Sequence, residues 1–198
     1  LLMLAVYALP VEPMARNVRA SVPALNGDWA KEESYEQLLP GYQSMQLDNT
    51  TDAAMLLLAV YESDAPLVTR AVECVRYNSQ EPVYELLLRY GENGGEGMDS
   101  APIARYWHGY LVLLKPLLLF LCYIDIRMVL TLAQGAMLAA VIAGLCRRNL
   151  GKLVPCFALA MLFITPAAAG FSMQFSTVFC TFLLAMLALL YLPPHVFD

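Results

Sequence analysis

Long apolar runs dominate the carboxyl-terminal half of the chain. Residues 128–146, 153–170 and 171–192 are apolar over 19, 18 and 22 positions, and about 20 apolar residues suffice for a helix to cross a bilayer. The segment Pro166 to Gly170 joins the last two runs so tightly that they are antiparallel neighbours or one broken helix. The pattern predicts three membrane helices.

The amino-terminal end predicts a fragment of a further membrane helix. Residues 1–10 are apolar but too short to cross the bilayer, so we interpret them as the end of a truncated first membrane helix. The alternative is a secretory signal peptide. No basic residue precedes the apolar run, and Arg16 and Arg19 lie where its cleavage site would be.

Residues 11–102 form a polar region whose capping residues and prolines predict short helices. One helix follows the polar run Asp48 to Asp52, one begins after Ser63 with Pro66 in its first turn, and one begins near Ser79 and ends at Tyr90. The polar region is therefore predicted to be a small helical domain.

Three further segments connect these elements. Asn26 to Trp29 predicts a turn, and the glycine-rich run Gly91 to Gly97 predicts a linker or a mobile lid. Residues 103–123 are predicted to be an interfacial or re-entrant helix, because a full crossing would place the basic turn at Arg147 outside the cell. In the alternative, 103–123 is a true span and the polar loop is cytoplasmic.

Composition and charge give the class of protein. The chain is 59% hydrophobic and 15% charged, which indicates an integral membrane protein. Residues 11–109 carry 15 acidic and 7 basic side chains, while Arg147, Arg148 and Lys152 lie beside the spans. The predicted protein is an all-α, polytopic helical membrane fragment in the cell membrane, with the acidic loop 11–109 external. The negative loop argues against nucleic acid as a partner.

Three acidic residues of the loop are candidates for chemistry. Asp28, Asp48 and Asp52 would lie just outside the membrane, where carboxylates bind a divalent metal ion or act as a general base. Asp48 and Asp52 are four residues apart and would share a helix face. The alternative is that they cap helices.

A basic and aromatic cluster is the second candidate. Arg105 precedes His108 by three positions, with Trp107 between them, at the predicted membrane interface. Arg105 could bind a phosphate through a bidentate pair, and His108 could donate to it or carry a proton. The alternative is an aromatic anchor whose arginine reaches the lipid headgroups.

Polar residues within the apolar runs predict contacts between helices. Gln134 interrupts the first run, and Gln174, Thr177 and Thr181 share one face of the last helix. Polar side chains at membrane depth face other helices, so hydrogen bonding between helices is predicted, with a transport path as the alternative.

The predicted architecture and one sequence segment each resemble those of known membrane proteins. The run Ala104 to Tyr110 followed by Leu114 to Leu118 resembles uncharacterised multi-spanning membrane proteins of Gram-positive bacteria. A truncated helix, an acidic external loop and closely spaced spans resemble membrane glycosyltransferases of the GT-C fold. That resemblance implies an acidic catalytic or metal-binding residue in the first external loop, with Asp28 as counterpart by position, and a polyprenyl-phosphate-linked sugar as donor.

Two functional hypotheses follow. In the first, a membrane-embedded glycosyltransferase-like protein uses a polyprenyl-phosphate-linked sugar on the external face, with the lipid bilayer as its environment. Its catalytic candidates are Asp28, Asp48 and His108, and its substrate-binding candidates are Arg105, Trp107 and Asp52. In the alternative, the chain belongs to a non-catalytic polytopic protein, either a transporter half or an assembly or sensor protein.

Overall fold

The chain folds into two units of mostly helical structure. A computed structural model describes residues 1–29, 49–103, 108–164, 169–170 and 172–193, without the side chains at 24, 26–29, 164 and 174. The first unit contains residues 1–126 and the second residues 127–198. The helical class is confirmed, and the described part adds two short strands.

The first unit contains six helices in its described residues. α1 to α5 follow one another along the polar region, with two strands on either side of α5, and α6 precedes the long helix α7. Their bounds are α1 Leu2–Tyr7, α2 Val11–Trp29, α3 Thr50–Ala59, α4 Leu67–Glu73, β1 Val75–Asn78, α5 Val83–Asn93, β2 Asp99–Pro102 and α6 Leu111–Leu118.

α2 is a continuous helix where the sequence predicted a turn. The prediction of a turn at Asn26 to Trp29 is wrong, because α2 runs through these residues to Trp29. Met14, Val18 and Leu25 are fully buried and recur at helical spacing on one face. α2 packs this face against α5 and α6. Packing therefore outweighs the helix-breaking tendency of Gly27.

The three short helices predicted in the polar region are present. α3 begins at Thr50, and α4 and α5 each begin one residue after a proline, at Leu67 and Val83. Asn49 occupies the N-cap position of α3 and its side chain makes no capping hydrogen bond there. α3 lies at the centre of the unit, since it packs against α2, α5, α6 and β1.

The glycine-rich segment closes a small antiparallel sheet. β1 pairs with β2 so that Val75 lies opposite Pro102 and Asn78 opposite Asp99. Gly94 ends α5 in the left-handed conformation, and Gly95 also has a positive φ. A Cβ at Gly95 would lie 2.6 Å from the Tyr77 ring, so the turn fits closely against β1.

The segment 103–123 is not one helix in its described residues. Residues 108–110 precede α6 without helical structure, and α6 covers only eight residues, Leu111–Leu118. α7 then begins at Tyr123. Among the described residues before Tyr123, the predicted interfacial or re-entrant helix over 103–123 is helical only at Leu111–Leu118, and its position at a membrane interface stays a prediction.

The second unit contains most of α7 and two further helices. α7 is Tyr123–Arg147, a 3-10 turn covers Gly151–Leu153, α8 is Val154–Ile164 and α9 is Met173–Tyr191. Of the described residues, one helix, α7, is long and apolar enough to cross a bilayer, while α8 and α9 are apolar but shorter. The multi-spanning arrangement stays a prediction.

α7 and α9 pack side by side and run parallel. Gln134 donates to the sulfur of Cys180 at 3.5 Å, and the Tyr191 hydroxyl donates to the Ala140 carbonyl at 3.0 Å. A Cβ at Gly144 would lie 2.9 Å from the Tyr191 ring, so that ring packs directly on the α7 backbone there. The predicted interhelical hydrogen bonding is confirmed for Gln134. Since α7 and α9 run in the same direction, α8, which connects them in the chain, runs in the opposite direction.

Much of the apolar surface of the second unit is exposed. Leu132 is 67% exposed on α7, Leu162 73% and Phe163 79% on α8, and Val178 68% on α9. A smaller apolar core lies inside the unit, centred on Val141 and other buried side chains of all three helices. Exposed apolar surface of this extent is typical of lipid-facing or partner-facing helices.

Candidate functional site

A buried lysine stands out in the first unit. Lys115 on α6 is only 1% exposed, although lysine is almost never fully buried without a partner. Its Nζ donates to the carbonyl of Ala59, the last residue of α3, at 2.7 Å. The same Nζ lies 4.9 Å from the centre of the Tyr7 ring, in cation–π geometry. The lysine therefore joins the ends of three helices.

A second cation lies near this lysine. Burial, and next the charge of Arg70 on α4, together lower the pKa of Lys115 to about 8. The Nε of Arg70 is buried without a hydrogen-bond partner. Among the described residues, neither cation forms an ion pair with a carboxylate. The positive charge of Arg70 therefore acts on Lys115, and neither cation has a carboxylate partner in the described part of the chain.

Tyr7, whose ring faces Lys115, has the side chain of Cys74 as its neighbour. Cys74 ends α4 in the left-handed conformation and is 3% exposed, and burial raises the pKa of its thiol. The Tyr7 hydroxyl is buried and makes no hydrogen bond of normal geometry with the described residues. Burial, and next the neighbouring Cys74 thiol, raise the pKa of Tyr7 far above its usual value. Both groups are therefore protonated at neutral pH.

His108 and Tyr110 complete the group. His108 is 8% exposed, its Nδ1 lies 3.3 Å from the Tyr110 hydroxyl, and its Nε2 bonds the carbonyl of Ile103. Because a carbonyl only accepts, the Nε2–H of His108 donates to Ile103, while Nδ1 shares a hydrogen bond with the Tyr110 hydroxyl. Burial raises the pKa of Tyr110, and burial lowers the pKa of Arg76 on β1, whose charge acts on Tyr110.

We refer to these side chains as the Lys115 cluster. They come from α1, α4, β1, the turn before α6, and α6 itself. The members are Tyr7, Arg70, Cys74, Arg76, His108, Tyr110 and Lys115. The cluster supplies positive charge and hydrogen-bond donors, and none of its members is a carboxylate. Such a set can bind and orient a negatively charged group.

One sequence-predicted site residue belongs to this cluster. His108 contacts Tyr110, as described above. Asp52 is fully buried in the first turn of α3, whereas Lys115 binds the other end of that helix, about 10 Å away at helical rise. Asp28 lies in the last turn of α2, with its side chain outside the description.

The other predicted site residues lie outside the described residues. They are Asp48, Arg105 and Trp107. Within the part of the chain that the structure describes, no group of three or more His, Cys, Asp or Glu side chains has the arrangement of a metal site. The metal-binding role of the loop carboxylates stays a prediction.

Sequence reasoning missed Lys115 and Arg70 as site residues. A lysine within the apolar helix Leu111–Leu118 is a detectable anomaly, because a charge there must find a buried partner or reach water. Its partner Ala59 is 56 residues away, so the sequence could not identify it. Arg70 resembles an ordinary surface arginine near a helix end.

Comparisons with protein-family models, with curated proteins and with solved structures find no match to this chain.

Proposed function

We propose that the chain belongs to a multi-spanning membrane protein in which α7, α8 and α9 lie in the bilayer. α7 has 25 residues and spans about 37 Å at helical rise, enough for roughly 30 Å of hydrocarbon. The exposed leucine, valine and phenylalanine side chains of α7 to α9 support this placement, because lipid would cover them. Arg147, Arg148 and Lys152 then lie at the cytoplasmic end, which leaves the first unit external.

On this placement, the protein is a glycosyltransferase-like protein that uses a polyprenyl-phosphate-linked sugar on the external face. The observation that carries the proposal is the continuity of the first unit with α7. Tyr123 and Ile126, in the first turn of α7, are buried in the core of that unit. The Lys115 cluster therefore belongs to the unit that also contains the first turn of α7, and a membrane-anchored donor would present its phosphate to that unit.

The roles in such a reaction divide between cations and carboxylates. The cations of the Lys115 cluster would bind the phosphate of the donor and stabilise the negative charge of the leaving group. Asp28 or Asp48 would act as the general base that activates the acceptor hydroxyl. His108 shares a hydrogen bond with Tyr110 and would keep that hydroxyl oriented, or relay a proton.

One observation favours the non-catalytic alternative. Within the described residues, the cluster contains no carboxylate, and Asp52 is buried at the far end of α3. A binding domain of an assembly or sensor protein needs cations for an anionic ligand but needs no general base. The second candidate function is therefore recognition of an anionic ligand without transfer.

Envelope glycans of the native host provide the test. The full-length gene would carry Asp28→Ala, Asp48→Ala or His108→Ala, and exposed Asp64→Ala is the matched control. We expect at least one of the three variants to lose a glycan at normal protein level in the membrane, while the control keeps it. Unchanged glycans in all three variants would contradict transfer and support the non-catalytic candidate.

A further inference from the structure

Positive charge around Lys115 is not balanced by a carboxylate among the described residues. A buried ammonium is costly unless a counter-charge or a full set of hydrogen bonds compensates it. Here the described residues provide one carbonyl, of Ala59, and one aromatic face, of Tyr7. Arg70 adds a second positive charge nearby. The described side chains therefore leave a local excess of positive charge in a mostly buried place.

The buried hydrogen-bond donors near Lys115 also favour a bound negatively charged group. The Nε of Arg70 is a buried donor without a partner among the described residues, and the Tyr7 hydroxyl, beside the Cys74 thiol, makes no hydrogen bond of normal geometry there. The Tyr7 side chain is 6% exposed, so water does not readily satisfy it. Buried polar groups without partners are rare and call for an explanation. An oxyanion that accepts from both groups and neutralises the two cations would satisfy all of them.

We propose that Lys115, Arg70 and Tyr7 form a binding site for a phosphate-type oxyanion. Lys115 contributes a point charge, Arg70 contributes a planar donor group, and Tyr7 contributes a hydroxyl donor. Arginine pairs with phosphate through parallel hydrogen bonds, and lysine binds it as a compact charge. The site rests on the proposed function only for the source of the phosphate, a lipid headgroup. The geometry itself fits a free phosphate as well.

Arg70 is the residue that tests the site without disturbing the fold. Its Nε has no partner to lose in the described part of the chain, whereas Lys115 bridges α6 to α3. Arg70→Gln removes the charge and keeps a polar side chain, and Arg70→Lys keeps the charge without the planar donors. Arg19→Gln is the matched control, since Arg19 pairs with Glu12 on the surface.

The measurement uses the full chain in lipid nanodiscs. Equilibrium dialysis measures binding of radiolabelled inorganic phosphate, and a parallel titration uses nanodiscs that contain a polyprenyl monophosphate. We expect saturable binding of at least one probe, weakened tenfold or more by Arg70→Gln, less by Arg70→Lys, and unchanged by Arg19→Gln. Binding of inorganic phosphate identifies a free anion as a sufficient ligand. Binding of the polyprenyl monophosphate alone identifies a lipid source.

Two results would overturn the site. One is the absence of binding of either probe to the wild-type chain, and the other is equal binding by the wild type and Arg70→Gln at equal thermal stability. Comparison with the glycan experiment separates the two proposals. Lost phosphate binding in Arg70→Gln with unchanged glycans in the Asp28, Asp48 and His108 variants retains the site and rejects sugar transfer. If instead the Asp28, Asp48 or His108 variants lose the glycan while Arg70→Gln binds phosphate normally, sugar transfer is retained and the phosphate site is rejected.

Discussion

Replacing Lys115 with methionine should stabilise the first unit at neutral pH. Methionine keeps an unbranched apolar side chain of similar length and removes the ammonium group. At pH 7 most of the wild-type Lys115 is charged, because burial lowers its pKa only to about 8. The wild-type fold therefore carries a buried charge that the variant lacks.

The expected size of the effect follows from the pKa of Lys115. The shift from 10.5 to about 8 corresponds to roughly 3 kcal/mol of unfavourable burial of the charged form, at about 1.4 kcal/mol per pKa unit. Methionine also loses the hydrogen bond to the Ala59 carbonyl, which contributes about 1 to 2 kcal/mol. The net prediction for Lys115→Met is a gain of about 1 to 2 kcal/mol in the free energy of unfolding at pH 7.

The pH dependence gives a sharper criterion. Between about pH 8 and 10.5, the unfolded wild type keeps its proton on Lys115 while the folded wild type loses it. The unfolded state then binds more protons, so wild-type stability rises with pH across this window. Lys115→Met lacks this contribution. Its advantage should decline above pH 8 and become a disadvantage near pH 10.5.

Urea unfolding of the full chain in detergent micelles measures this prediction. Both tryptophans, Trp29 and Trp107, belong to the first unit, so tryptophan fluorescence reports on that unit. The exposed Lys152 of the second unit supplies the control variant Lys152→Met, which should leave the transition unchanged. A less stable Lys115→Met variant at pH 7, without a crossing at high pH, would refute the reasoning. The bond to Ala59 would then outweigh the cost of burial.

Two glycines yield further predictions. Gly144→Leu should separate α7 from α9 and lower the stability of the second unit by about 1 to 3 kcal/mol, because the added side chain meets the Tyr191 ring at 2.9 Å; thermal unfolding in micelles measures it. Gly95→Ala should destabilise the first unit by about 1 to 3 kcal/mol, because φ is +91° and the Tyr77 ring lies 2.6 Å from the new Cβ; urea unfolding measures it.

Each glycine has a matched position in the chain. A Cβ at Gly135 on α7 meets nothing within 4 Å, so Gly135→Leu should leave the second unit stable. Gly97 shares a positive φ of +69° but has open space, so Gly97→Ala should cost only the backbone strain. Equal losses at Gly144 and Gly135 would show that the α7 to α9 contact contributes nothing. Equal losses at Gly95 and Gly97 would show that the Tyr77 ring moves freely.

The sequence predicted elements where local chemistry decides the structure. Pro66 and Pro82 indicated the starts of α4 and α5 because proline fixes φ at a value suited to a helix start. The run 128–146 indicated α7 because its apolar length exceeds what a loop tolerates. Each of these signals is contained within the helix that it predicts or directly before it, so no distant contact is needed to recognise it.

Features that depend on distant partners were missed. The turn predicted at Gly27 became part of α2, because Leu25 is buried against other helices of the first unit. The strands β1 and β2 are four residues long and pair with each other across the intervening α5. The role of Lys115 required knowledge of Ala59 at the end of α3. The cluster is therefore a tertiary property, and the sequence supplied only His108 of it.

The hydrogen bonds that join α2 to the end of α6 and to the start of α7 also bear on how the protein is made. The backbone N–H of Tyr123 donates to the Ser21 hydroxyl at 2.7 Å, and Asn17 donates to the Leu118 carbonyl at 2.8 Å. The ribosome synthesises α2 about 100 residues before these partners exist. The first unit cannot complete its core until the beginning of α7 has been translated. Completion of the first unit during synthesis is thus coupled to translation of the helix that follows it.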